Sequence, residues 1–281
     1  MYLEKVAIDY LKGVNIARIF KKYFISENTN KSINIKGSNN EFLEHREYYY
    51  SDELKNVNWK LYAKMGKLYT KVFSTDISNE VLILFDISKS MLAGKKILKL
   101  EYSKYLVSIV AYKLVTEGYK VVFSTFDSNI YETFVFSEKN FQKFDLLLRE
   151  MRCGGITNFS EVLRKLPSYM GSNSNLLVIS DFLFISAGEI SVLRKLFPKR
   201  DIVLFQVLSA EEISFIDGDF VELVEPESNV RKLVQAKEAQ KKYIQALSSF
   251  LEQIYISSFS SKIPMITFST DIPYYVVLKK I

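Results

Sequence analysis

Residues 81–91 read VLILFDISKSM. Five apolar residues run without interruption into Asp86, and Ser88 and Ser90 follow at alternate positions. A half-exposed strand alternates apolar and polar residues. A short unbroken apolar run is the pattern of a strand covered on both faces. The same pattern recurs in YKVVFSTF (119–126), NLLVISDF (175–182) and DIVLFQVL (201–208), and KIPMITFST (262–270) reads as a final strand. Between these runs lie segments with apolar residues at helical spacing: 95–117, FQKFDLLLREM (141–151), FSEVLRKLPSYM (159–170), 187–198 and a long one over 230–255. Buried strands alternating with helices predict an α/β fold, a doubly wound and mostly parallel sheet with helices on both faces. IYETFVF (130–136) alternates and reads as an edge strand, and DFVELVE (219–225) is a short alternating piece.

In such sheets ligands bind beyond the carboxyl ends of the strands. Asp86, Ser88 and Ser90 fall at that place on the first run. Thr157, in CGGITNF, stands just before a helix, and Asp181 ends the NLLVIS run. All five are hard oxygen donors. Hydroxyls, carboxylates and waters suit Mg²⁺ or Mn²⁺ better than Zn²⁺. Each residue also has a plain structural reading: Asp86 and Ser88 as caps of the next helix, Thr157 as a helix-start signal, Asp181 as a turn residue. A hydrolase reading competes too, with Asp86 attacking a phosphoester at a bound Mg²⁺. Phosphatases of the haloacid dehalogenase type place a second Asp two residues on, and here that position is Ser88, which has no acid/base capacity near neutral pH. The single His, His45, and the absence of a G-x-S-x-G elbow or a P-loop exclude the familiar serine-hydrolase and nucleotide-binding motifs.

Composition adds bounds. The 281 residues are 48% hydrophobic and 25% charged, enough for a real core. No apolar stretch approaches the roughly 20 residues of a membrane span. The N-terminus lacks a signal-peptide pattern. One cysteine, Cys153, excludes an internal disulfide and fits a reducing compartment, so a cytoplasmic protein is expected. The net charge of +6 is spread over scattered lysines, and no nucleic-acid motif is present.

The set DISKS, Thr157 in GGITNF and Asp181 in VISDF resembles the metal-ion-dependent adhesion site of von Willebrand factor A domains. Upstream, FLEHREYYYSDELKNVNWKLYAK resembles the segment of the domain-of-unknown-function 58 family that runs F-x-x-x-R-E-Y-x-x-G-D-x-x-R-x-I-D-W-x-x-x-A-R. Phe42, Arg46, Glu47, Tyr48, Asp52, Trp59 and Ala63 match, whereas Ser51, Lys55, Val57, Asn58 and Lys64 depart from it. The resemblance covers about residues 36–281. It implies a von Willebrand factor A-like domain over 76–281 and an extension over 1–75 that packs on it. It further implies a Mg²⁺ or Mn²⁺ ion held by Asp86, Ser88, Ser90, Thr157 and Asp181, with one position open to an Asp or Glu of a protein partner. The partner class it implies is a MoxR-type AAA+ ATPase, in a non-enzymatic role in assembling or activating another protein. Arg46, Glu47, Tyr48, Asp52 and Trp59 are expected either to anchor the upstream segment, with Trp59 buried and Arg46, Glu47 and Asp52 in an ion-pair network, or to dock the partner.

Overall fold

The structure is a computed structural model that describes residues 2–16, 18–21, 41–48, 57–74, 80–131, 133–171, 174–213, 220–224 and 231–280. In chain order these carry α1 (Lys5–Tyr10), α2 (Arg18–Lys21), β1 (Glu41–Glu47), α3 (Trp59–Met65), β2 (Tyr69–Ser74), β3 (Glu80–Asp86), α4 (Lys99–Thr116), β4 (Lys120–Phe126), β5 (Phe134–Phe136) and α5 (Phe141–Glu150). There follow α6 (Phe159–Lys165), β6 (Asn175–Ser180), α7 (Ala187–Leu196), β7 (Ile202–Leu208), α8 (Ala210–Ile213), β8 (Phe220–Val224), β9 (Arg231–Gln235), α9 (Ala236–Ser260), β10 (Met265–Ser269) and α10 (Tyr274–Lys280). The chain forms two compact units, residues 1–24 with 79–281, and residues 25–78.

The larger unit is built on a six-stranded sheet of order β10-β7-β6-β3-β4-β5. All neighbouring pairs are parallel except β4–β5, which is antiparallel. The chain therefore winds outward one way from β3 and the other way from β6. These two strands are neighbours, and the crevice beyond their carboxyl ends is the switch point where doubly wound folds hold ligands. The fold is thus a doubly wound α/β sheet, as expected, with one antiparallel edge.

The unbroken apolar runs are explained by the two faces. Along β3, Val81, Ile83 and Phe85 point into one core, with α4 residues Leu106, Val107 and Val110. Leu82 and Leu84 point into the other, with Val162 and Leu163 of α6 and Ile190 and Leu193 of α7. Each residue removed from water on either side contributes about 1.5–3 kcal/mol.

Residues 1–24, which the sequence groups with the segment after them, cluster with the sheet-bearing unit. Leu3, Ala7, Leu11, Ile16, Ile19 and Phe20 are all buried in the α4-side core. They do not form one helix: Gly13 adopts φ +77 between α1 and α2, a left-handed conformation suited to a residue without Cβ. The helix expected over 230–255 is also corrected. Residues 231–235 pair antiparallel with β8, and the helix starts at Ala236. The cross-strand ladder outcompetes a helical pattern that was weak at this end.

In the smaller unit β1 pairs antiparallel with β2, Glu47 opposite Tyr69. The Tyr48 amide donates to the Leu68 carbonyl at 3.0 Å. Asn58, where the family pattern has Asp, caps α3: its side chain accepts from the Leu61 amide at 3.2 Å. Either residue serves that purpose. Trp59 opens α3 and is 57% exposed, edge-on to Tyr62 at 6.2 Å between ring centroids. Of the two alternatives, the buried core tryptophan is not met: α3 buries none of its residues. The Arg46 side chain and Asp52 lie outside the described residues, so the ion-pair network expected around them does as well.

Candidate functional site

β3 delivers Asp86 to the carboxyl edge of the sheet with no exposure at all. Its Oδ1 accepts from the Ser88 amide at 2.8 Å and its Oδ2 from the Ser180 hydroxyl at 2.6 Å. Ser180 ends β6, so this bond ties the two strands at the switch point. Ser88 and Ser90 are buried beside Asp86, with their Oγ atoms 3.0 Å apart. Neither acts as a side-chain cap for α4, whose N-cap is Leu98, and Ser88 caps nothing in the 3-10 turn Lys89–Leu92. The capping reading of this loop therefore fails.

The Thr157 loop is fastened alongside by its backbone. The Lys89 amide donates to the Gly155 carbonyl at 2.9 Å and the Gly154 amide to the Ile87 carbonyl at 3.2 Å. Gly155 is forced by a close approach: a Cβ there would stand 1.8 Å from Asp127 Oδ2. Asp127 follows directly on β4 and is itself pinned by the Tyr131 hydroxyl at 3.0 Å and the Asn129 amide at 3.0 Å. Thr157 is half-buried two residues beyond Gly155. The N-cap of α6 is its neighbour Asn158, whose side chain accepts from the Glu161 amide at 3.1 Å, so capping is not what Thr157 supplies.

Asp181 follows β6 and is buried. Its Oδ1 accepts from the Leu183 amide at 3.1 Å, the turn role expected of it. Its Oδ2 lies 2.7 Å from the Lys99 ammonium, which also sits 2.7 Å from Glu212 Oε1. Phe182, next in the chain, is a buried aromatic residue at φ +57. Bulky residues avoid that region, and such strain collects at functional sites.

Burial raises the Asp86 carboxyl to about 7, and the charge of Asp181 adds to the shift. Hydrogen bonds from Ser180 and Ser88 oppose it without cancelling it. Burial also pushes the Cys153 thiol up to about 12, with Asp86 the next cause, and the residue packs against the α4-side core. Burial disfavours the charge on Lys99, but Asp181 and Glu212 outweigh it and hold the ammonium above its ordinary value.

The donor set fits a hard divalent cation. Oxygens about 2.1 Å from Mg²⁺ on adjacent octahedral vertices stand about 3 Å apart. The Ser88 and Ser90 hydroxyls, hydrogen-bonded to each other at 3.0 Å, have that spacing as well. Among the described residues no three His, Cys, Asp or Glu side chains gather as a metal-binding group, so hydroxyls must supply much of any shell. Lys99, Glu212, Ser180 and the Asp127–Gly155 contact were missed in the sequence. A lysine between Leu98 and Leu100 at the start of an apolar helix is the one faint signal that was there.

A family model described as a protein of unknown function, DUF58, matches residues 44–249. No curated protein matches the sequence. Among solved structures, the conserved hypothetical protein BatB from Bacteroides thetaiotaomicron is 16% identical over 65% of this chain and 97% of that one, with a TM-score of 0.39. An aerotolerance-related membrane protein from Bacteroides fragilis, carrying multiple mutations to serines, is 15% identical over 72% and 96%, with a TM-score of 0.45. The SpRpn10 VWA domain is 12% identical over 72% and 94%, with a TM-score of 0.43.

Proposed function

This chain belongs to the DUF58 family of proteins of unknown function, and from that premise we propose that it is a non-catalytic binding module that grips a protein partner through a Mg²⁺ or Mn²⁺ ion. The carrying observation is the pair of buried hydroxyls, Ser88 and Ser90, at octahedral-edge spacing beside the buried Asp86. Asp86, Ser88, Ser90 and Thr157 would hold the ion, with Asp181 contributing charge nearby. When bound, the ion supplies a Lewis-acidic position that favours an anionic oxygen. The chain's residues do the rest: the Ser88 amide and Ser180 hydroxyl orient Asp86, and the Gly155 backbone holds the Thr157 loop in register.

A carboxylate of the partner, from Asp or Glu, is the ligand this chemistry selects. Exposed apolar side chains surround the same edge: Leu92 after β3, Ile156 beside Thr157, Phe184 after Asp181 and Ile213 after β7. They suit a protein partner, since anchors of this kind carry much of an interface's energy. The family resemblance extends the proposal to a MoxR-type AAA+ ATPase as that partner, in the cytoplasm. Among the described residues no helix is long and apolar enough to cross a membrane.

Titration calorimetry with Mg²⁺ and Mn²⁺ tests the reading. Wild type should bind one ion, and Asp86→Asn and Thr157→Ala should abolish or sharply weaken that binding. Capture of the ATPase should then depend on the ion and be lost in EDTA. Metal-dependent turnover of a phosphoester panel, lost in Asp86→Asn, would overturn the binding-only reading in favour of a hydrolase.

A further inference from the structure

Lys99 is the first residue of α4, and its side chain is fully buried. Lysine is almost never buried unless paired. Here one ammonium is shared by two carboxylates, Asp181 and Glu212, each at 2.7 Å. Neither carboxylate is free to follow it. Asp181 is fixed by the Leu183 amide at its Oδ1, and its carbonyl accepts from Gln206 Nε2 at 3.0 Å. Glu212 Oε2 accepts from the Ser209 amide at 2.8 Å, and the Glu212 amide donates back to Ser209 Oγ at 3.2 Å. The start of α4, the loop after β6 and the short helix α8 after β7 thus meet at a single buried positive charge.

A structural tie would need no lysine, since well-packed apolar residues commonly do as well or better. What a lysine adds is charge beside the candidate ion site. Asp181 and Glu212 share the one ammonium, so beside Asp86 this cluster adds one net negative charge to the field at a divalent ion rather than two. The geometry points to Lys99 as a resident counter-cation: by compensating Asp181 it keeps the pocket a weak site for a bare divalent ion and makes tight binding conditional on an anionic ligand. Lys99 is a positioning residue in this scheme. The inference rests on the ion-binding reading above and deepens it, because it explains how the ion keeps enough positive charge to attract a partner's carboxylate.

The test is Mn²⁺ affinity by calorimetry, without and with acetate as the carboxylate probe, on the full chain with folding checked by circular dichroism. Lys99→Met should bind Mn²⁺ alone about tenfold or more tightly, because a unit positive charge near a divalent ion is removed. The enhancement by acetate should shrink in the same variant. Glu212→Gln removes a negative charge and leaves the ammonium to Asp181, so it should bind Mn²⁺ more weakly than wild type by about threefold or more. A merely structural Lys99 would lower affinity or leave it unchanged, and a folded Lys99→Met with that result overturns the inference. If Lys99→Met does not fold, unchanged or tighter binding in Glu212→Gln overturns it. Wild-type binding that disappears in Asp86→Asn but is unmoved in Lys99→Met sinks this inference alone. Binding by Lys99→Met where wild type shows none supports it strongly. No binding by wild type or by Lys99→Met overturns the ion-binding reading and this inference together.

Discussion

Asp86 is held by two donors, the Ser88 amide and the Ser180 hydroxyl, yet burial and Asp181 still drive its carboxyl up to about 7. The charge is therefore costly in the absence of a cation. Asparagine can accept from the Ser88 amide and donate to the Ser180 oxygen while carrying no charge. In EDTA at pH 8, Asp86→Asn should be more stable than wild type by about 1–3 kcal/mol, the cost of an incompletely compensated buried charge. Denaturant unfolding measures this. A loss of stability would mean that the carboxylate's charge favours the fold even without a cation, through the donors around it.

Between elements, the decisive contact is that of the Thr157 loop with the end of β4. Asp127 is pinned by Tyr131 and Asn129, so it has little room to yield to a Cβ at Gly155. Gly155→Ala should cost about 1–3 kcal/mol by overpacking. It should also weaken Mn²⁺ binding, since Thr157 lies two residues further along the same loop. Asp127→Ala in that background removes the clashing atoms and should restore much of both. Stability and Mn²⁺ affinity measured on the single and double variants check this. Restoration of stability without affinity would separate the loop's packing from its part in the site.

For the molecule as a whole, the first 24 residues are part of the larger unit's core rather than an appendage to it. Leu11 has no exposed surface, and Leu11→Ala should cost about 2–5 kcal/mol, as a core truncation does. The readout is chemical denaturation followed by far-ultraviolet circular dichroism. An effect below about 0.5 kcal/mol, the usual scale of surface substitutions, would show that this segment adds little to the folding unit.

The sequence by itself determined the sheet and its polarity. A run such as VLILF is stable only where helices cover both faces, and an intervening helix makes the next strand parallel. It also put Asp86, Ser88, Ser90 and Asp181 at or just beyond strand ends, because those positions follow from where the apolar runs stop, and Thr157 just before a helix. Local pattern was silent on contacts between distant residues. The pairing of Lys99 with Asp181 and Glu212 spans 82 and 113 positions, and the bond from Ser180 to Asp86 spans 94. These depend on which strands become neighbours, and that was decided by tertiary packing. The same holds for Trp59. An aromatic residue is apolar enough for a core, and only the structure shows that it opens a helix that buries none of its residues.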